Sequence, residues 1–239
     1  MNFKDYLLNI MSPPRCISCN ERLELNSIAF FCCECSKGYH KNSGTVCEIC
    51  GKPIFENRDK TCAYCKTEKR YYIKNISRYK YKDSIKTAIQ NMKFKRREWI
   101  SYKFGKALYN TIKDEYSDLK FDVITYVPMS PLREFSRGFN QSQEFADIIS
   151  KETKVPVKKI LHKKPGVKTQ SGLNRKERIE NVRNAFFVRH SELLTDKVVL
   201  LIDAVFTTGS TVNECARILK RNGALAVYVA TLATTVYDE

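Results

Sequence analysis

The chain has 239 residues, more than one minimal module, which leaves room for a fair-sized α/β domain plus a small accessory unit. Hydrophobic residues make up 43%, yet no apolar run approaches the roughly 18 needed to cross a bilayer, so a membrane-spanning reading is excluded and a soluble globular protein is expected. Net charge is +16, from 42 Lys and Arg against 26 Asp and Glu, which points to a polyanionic partner, nucleic acid more commonly than an anionic membrane face.

The first segment, MNFKDYLLNIMSPP, carries an acid inside a short apolar patch and no small-residue cleavage pattern, so it is not read as a secretory signal. Nine of the ten cysteines then fall between Cys16 and Cys65. They form a duplicated unit: Cys16/Cys19 with Cys32/Cys35, then Cys47/Cys50 with Cys62/Cys65, repeating after 31 residues with spacers of twelve and eleven. A thiolate pair two residues apart in a tight turn can hold one face of a tetrahedral ion, and a second pair completes the shell. The spacing therefore predicts two structural zinc ions in a reducing cytosol; disulfides, or one occupied site beside a decayed one, are the alternatives. All-thiolate sites leave no open position for catalysis. Sequential and crosswise pairing stay open here, Cys33 reads as a leftover thiol or a substitute ligand, and His40 reads as a surface histidine.

From Lys66 to Lys106 there are fourteen Lys or Arg and three acids, interleaved with Tyr71, Tyr72, Tyr79, Tyr81, Phe94, Trp99, Tyr102 and Phe104. Cations that follow a phosphate backbone, mixed with rings on which bases stack, are what sequence-tolerant binding of single strands requires. Ile85, Ala88, Ile89 and Met92 fall at i, i+3, i+4, i+7, so the competing reading is an amphipathic helix whose lysines are its solvated face.

A strand is expected in FDVITY, followed by a loop with Arg133, Arg137 and Gly138. From Lys151 to Arg189 twelve basic residues face three acids, a second candidate face for nucleic acid. Val198 to Ile202 is a buried-strand run, Val212, Cys215, Ala216 and Leu219 recur at helical spacing until Asn222-Gly223, and Leu225 to Ala233 is a second strand. This β-α-β unit has parallel strands, and ligands of such sheets bind beyond the strands' carboxyl ends. Its loop gathers Thr207, Thr208, Ser210 and Thr211 around Gly209 at a helix amino terminus, where backbone N–H groups and the helix dipole favour a phosphate monoester. Neither Gly-Lys-Ser/Thr nor G-x-G-x-x-G is present, which disfavours a nucleoside triphosphate P-loop and weakens a dinucleotide reading.

An apolar strand, an acid, and then Thr-Thr-Gly-x-Thr resembles the phosphoribosyl-pyrophosphate (PRPP) motif of type I phosphoribosyltransferases. With VPMSPLREFSRGFNQSQEFA, KTQSGLNRKERIENVRNAFFV, YKYKDSIKTAIQNMKF and the doubled cysteine unit, the whole chain resembles the ComF family, competence-associated phosphoribosyltransferase-like proteins. The resemblance implies an α/β fold of type I phosphoribosyltransferase kind: a mainly parallel sheet flanked by helices over 69–239, with a small double zinc ribbon over 1–68. It implies that Asp203, Thr207, Thr208, Gly209, Ser210 and Thr211 bind PRPP, that Arg133 and Arg137 form the pyrophosphate loop, that Gln170, Arg175 and Arg178 lie in a closing hood, and that Mg²⁺ accompanies PRPP. It further implies a cytoplasmic DNA-uptake factor at the inner face of the cell membrane, binding single-stranded DNA and PRPP or a related phosphosugar beside a helicase and a membrane translocation machine. The alternative is an active phosphoribosyltransferase that transfers the sugar to a nucleobase or amine.

In the resembled motif a second acid follows the first, and both hold ribose hydroxyls; here that position is Ala204. Leaving one buried hydroxyl unpaired costs about 1–3 kcal/mol, roughly ten- to a hundredfold in affinity. The phosphate cradle survives that loss, whereas turnover depends on ribose positioning and is the more exposed to it.

Overall fold

The computed structural model describes residues 13–23, 30–54, 60–94, 98–165 and 175–236; the side chains of 93, 94, 98, 175, 176, 178 and 179 lie outside that description. In chain order the strands are β1 (Asn75–Lys80), β2 (Val123–Tyr126), β3 (Leu161–Lys163), β4 (Phe186–Val188), β5 (Val198–Phe206) and β6 (Ala226–Thr234). The helices are α1 (Cys33–Lys37), α2 (Ala63–Thr67), α3 (Asp83–Phe94), α4 (Glu98–Glu115), α5 (Pro131–Arg137), α6 (Gln141–Thr153), α7 (Arg175–Val182) and α8 (Ser210–Arg221).

Four strands make one all-parallel sheet in the order β1-β6-β5-β2, and β3 pairs antiparallel with β4 beside it. Alternate residues of β5 enter two different cores. Leu200, Ile202 and Ala204 join Phe104, Leu108, Phe145 and Ile149 of α4 and α6 on one face. Val199 and Leu201 join Val212, Cys215, Ala216 and Leu219 of α8 on the other. Burial on both faces explains why the strand reads as an unbroken apolar run. Val212 and Leu219 are each at most 1% exposed, a burial that contributes about 1.5–3 kcal/mol per side chain.

Strand β5 runs four residues beyond the apolar stretch, because Asp203, Val205 and Phe206 continue the ladder opposite Thr231, Ala233 and Thr234. The expected helix over the Ile85 pattern forms as α3, with Ile85, Ala88, Ile89 and Met92 all fully buried.

The cysteine-rich head packs directly on this sheet. Asn42 N donates to Arg78 O at 2.9 Å and Lys80 N to His40 O at 3.0 Å, so the segment between the two cysteine units adds an antiparallel stretch along the β1 edge. Asn75 fastens the second unit, donating to Ile49 O with its backbone N and to Cys50 O with its side-chain amide, both at 2.8 Å. Gly51, at φ +68°, allows that approach: a Cβ there would lie 3.3 Å from the Asn75 carbonyl carbon. No described helix is long and apolar enough to cross a membrane.

Candidate functional site

The eight paired cysteines gather into two four-sulfur groups, Cys16/Cys19/Cys32/Cys35 and Cys47/Cys50/Cys62/Cys65, with sulfurs within 4.8 Å of one another in each. Ligands therefore come sequentially, one group per repeat. Cys19 to Cys32 and Cys50 to Cys62 each span 3.7 Å between sulfurs. That is far beyond a disulfide and close to the ~3.8 Å edge of a tetrahedron with zinc–sulfur bonds of about 2.3 Å. The donor set, count and separation fit a structural zinc held by four thiolates in each group. Cys33 is exposed and belongs to neither, and His40 faces Asp83 at 3.3 Å instead of a sulfur.

The second group is buried throughout, whereas Cys19 of the first is exposed. Around it, Tyr72 packs edge-on against Phe206 at 6.4 Å between ring centroids, and Lys52 Nζ donates to Thr235 Oγ1 at 3.0 Å. Thr235 in turn donates through its N to Phe206 O and through its hydroxyl to Thr207 O. The second ribbon thus backs the loop that follows β5.

A cavity of about 390 Å³ opens at the carboxyl ends of β2 and β5, lined by Arg133, Arg137, Lys163, Asp203, Ala204, Thr207 and Thr211 among others. Parallel α/β sheets bind ligands at this end because strand-to-helix loops converge there. Arg133 and Arg137 were expected on a loop; they lie on α5, which starts with Pro131 at its first turn and stops at Gly138 in the left-handed region, φ 84°. The i, i+4 spacing turns both guanidinium groups to the cavity side. Arg137 Nη1 donates to Gln141 Oε1 at 3.0 Å. Asn140 caps α6 by accepting from Ser142 N and ties its own amide to Val127 O, fixing the turn between the two helices.

Asp203 is the one carboxylate among the described lining residues, and its Oδ1 accepts from Ser142 Oγ at 3.0 Å and from Ala204 N at 2.7 Å. Three cations, Arg133, Arg137 and Lys163, line the same cavity. Burial, with Arg133 close by, holds the Lys163 ammonium below its ordinary range, and the same two causes lower the Arg137 guanidinium. Positive charge crowded into a partly desolvated cleft is relieved by an anion, and a phosphate or pyrophosphate is the chemistry that suits it.

The five loop residues divide. Thr207 and Thr211 face this cavity, while Thr208 and Ser210 line a second one on the far side of the loop, their hydroxyls 2.9 Å apart. Gly209, at φ 78°, starts α8 and presses on the Phe206 ring. Arg175 and Arg178 lie on α7, between β3 and β4, with side chains beyond the described atoms, and Gln170 lies outside the described residues. Sequence reasoning missed Lys163 and Ser142. Ser142 follows Asn140 in a helix-cap pattern that marks it in the sequence, whereas Lys163 is one lysine among many until the β3–β4 pair carries it to the cavity.

The basic middle segment splits by burial. Tyr72, Tyr79 and Phe104 are core residues at 4%, 1% and 0% exposure, so the helix-and-core reading holds for them. Trp99 and Tyr102 remain on the surface of α4, with Lys103 Nζ 5.5 Å from the Trp99 ring centroid. Phe94 has its side chain outside the description.

A double zinc ribbon domain matches residues 7–66, and a phosphoribosyl transferase domain matches residues 119–237. The chain is 28% identical over 232 residues to Competence protein F of Haemophilus influenzae, covering 87% of this chain and 99% of that protein. It is 27% identical over 201 residues to Competence protein ComFC of Bacillus subtilis, covering 82% and 80% respectively. To the DNA utilization protein YhgH of Escherichia coli it is 29% identical over 236 residues, covering 94% and 98%.

Proposed function

Because the chain belongs to the ComF family, in which a double zinc ribbon precedes a type I phosphoribosyltransferase-like domain, we propose that it is a DNA-uptake factor of natural competence that binds PRPP or a related phosphosugar and single-stranded DNA. The observation that carries the sugar-phosphate reading is the convergence of Arg133, Arg137, Lys163, Asp203, Thr207 and Thr211 on one cavity at the carboxyl ends of parallel strands. In this reading Thr207, Thr211 and the amino terminus of α8 take the 5-phosphate, with Thr208, Gly209 and Ser210 shaping the loop. Asp203 accepts from a ribose hydroxyl and, as an anion, needs no proton of its own to do so. Arg133, Arg137 and Lys163 neutralise the pyrophosphate, and Gln170, Arg175 and Arg178 belong to the segment that covers it. Mg²⁺ arrives with the pyrophosphate; a cavity wall with three cations and one carboxylate does not hold the ion unaided.

Binding without turnover is the reading that Ala204 favours. Its side chain is 6% exposed at the cavity wall, a methyl group where the family motif has a second ribose-binding acid. A thermal-shift titration with PRPP and Mg²⁺ is the test: a concentration-dependent rise is expected, and Asp203→Ala is expected to weaken it about tenfold or more. An unshifted melting curve at millimolar PRPP would sink the assignment. Pyrophosphate release with a nucleobase or amine acceptor would instead make the protein an active phosphoribosyltransferase.

Single-stranded DNA is assigned to the exposed α4 surface around Trp99, Tyr102 and Lys103, and to the basic stretch from Lys151 to Arg189, with the protein acting in the cytoplasm beside a helicase and the membrane translocation machine. Base stacking is worth about 1–3 kcal/mol per base by alanine substitution, so Trp99→Ala and Tyr102→Ala are each expected to weaken a dT oligomer roughly tenfold at fixed salt. Fluorescence anisotropy over a salt series measures it; unchanged affinity in the double variant would remove α4 from the interface.

A further inference from the structure

We propose a second anion site, which takes the phosphate of a nucleotide, in the cavity of about 680 Å³ behind the phosphate loop. The cavity lies between the segment leaving the second ribbon, the end of α7 and one face of α8 along its whole length, from Ser210 to Arg221. Lys69, Arg70, Arg183, Arg217 and Arg221 line it, against only Glu68 and Glu214. Glu214 is already taken: its two oxygens accept from Arg217 at 2.7 and 2.8 Å, and Oε1 also accepts from Asn184 N. Glu68 meets Arg70 at 3.1 Å. Lys69, Arg183 and Arg221 are positive charges in excess of the carboxylates that line the cavity.

Arg70 is the second, independent sign. Its side chain is 7% exposed and its guanidinium already meets Glu68 and the Cys65 sulfur, yet its Nε is buried with no hydrogen-bond partner. Buried charged donors are costly unless satisfied, and an anion entering this cavity supplies the missing acceptor. The Thr208 and Ser210 hydroxyls, 2.9 Å apart, add donors at one end of the cavity. The volume is several times what a bare phosphate fills, and the Tyr71 ring lies on its wall with Lys69 Nζ 5.2 Å over the face, so a base stacks there once Lys69 turns to the phosphate. A nucleoside phosphate is the ligand that uses both parts. It could come as a free mononucleotide or as the 5′-phosphorylated end of a single strand.

The loop Thr207–Thr211 is shared, with its residues divided between opposite cavities. Occupancy behind the loop therefore bears on its setting in front, and any such linkage must be reciprocal. That coupling rests on the phosphosugar reading of the first cavity; the second site does not.

Calorimetric titration of the zinc-loaded full chain with dAMP tests the site, with PRPP titrated in parallel. One dAMP per chain is expected, weakened at least tenfold in the Arg183→Ala/Arg221→Ala double variant, which changes only exposed side chains, and unchanged in Asp203→Asn. Arg70→Ala is expected to weaken it further. A 5′-phosphorylated dT tetramer that displaces dAMP where its 5′-hydroxyl counterpart does not identifies a strand end as the source; if neither displaces it, the source is the free nucleotide. Absence of dAMP binding, or binding that Asp203→Asn abolishes and the double variant leaves intact, overturns the proposal. Retained dAMP binding with no PRPP binding would instead count against the phosphosugar site alone.

Discussion

Removing zinc from the second ribbon is expected to abolish phosphosugar binding at the first cavity, although none of its cysteines lines that cavity. Cys47, Cys50, Cys62 and Cys65 are at most 9% exposed and lie in the same core as Tyr72, Phe206, Val199 and Leu219. Structural zinc contributes about 10–16 kcal/mol in zinc-finger peptides at neutral pH, comparable to the ~5–15 kcal/mol that holds a whole domain folded. Losing it therefore unfolds the ribbon outright. In the metal-free group the Cys50 thiol is pushed far above the ordinary thiol range, chiefly by hydrogen bonding to Cys47 and Cys65, so zinc binding must release that proton. With the ribbon gone, Tyr72 loses the cysteine core that holds it against Phe206, and Thr235 loses Lys52, the contacts that back Thr207. Cys47→Ser should lose one of two zinc ions by elemental analysis and lower PRPP affinity at least tenfold. Cys19→Ser, in the more exposed first group, should also lose one zinc but spare PRPP binding, because that group packs on the opposite face against the α3 core. Equal effects of the two variants on PRPP binding would refute the buttress.

Gly209→Ala is expected to be the most damaging single methyl in the phosphate loop. At φ 78° the residue lies in the left-handed region, which costs an L side chain about 1–2 kcal/mol. The added Cβ would fall 2.9 Å from Cε2 and 3.1 Å from Cε1 of Phe206, with the nearest ring atom closer still. Phe206 is 1% exposed and cannot swing aside, and overpacking of that kind costs a further ~1–3 kcal/mol. A total loss of about 2–5 kcal/mol should appear as a lower urea midpoint with an unchanged slope. The loop relieves the clash by lifting the amino terminus of α8 from the phosphate, so PRPP affinity should fall by more than tenfold even where the variant remains folded. Gly138→Ala is the control: its φ is also positive, at 84°, but nothing lies within 4 Å of the new Cβ, so only the backbone cost remains. If both variants behave alike, the Phe206 contact does not set the loop.

Much of this protein was legible without coordinates because the relevant physics is local. A thiolate pair needs only a two-residue turn between its members, so Cys16 to Cys65 read as two metal units from spacing alone. Burial of β5 on both faces forces an apolar run, and the α8 stripe at Val212, Cys215, Ala216 and Leu219 follows from helical period, so the β-α-β unit and its phosphate loop were equally plain. Composition was a poorer guide in the middle segment. Tyr72 and Tyr79 look the same in sequence as Tyr102, and only tertiary packing decides that Tyr72, beside the second cysteine group and Phe206, and Tyr79, on β1 under α4, are core while Tyr102 is surface.

By itself, then, the sequence determined the two four-cysteine units, the parallel strand–loop–helix and the missing second acid at Ala204, since each depends on neighbours within a few turns of chain. Tertiary structure alone decided which repeat supplies which sulfurs, that the second ribbon braces the phosphate loop through Lys52 and Thr235 and the core it shares with Tyr72, that Ser142 bonds Asp203, and that Lys163 lines the same cavity. It also decided that the loop faces two cavities, with Thr207 and Thr211 on one side and Thr208 and Ser210 on the other. These are contacts between segments tens to nearly two hundred residues apart, such as Lys52 with Thr235. No period or spacing encodes them, because they arise only when the cores on the two faces of the sheet close.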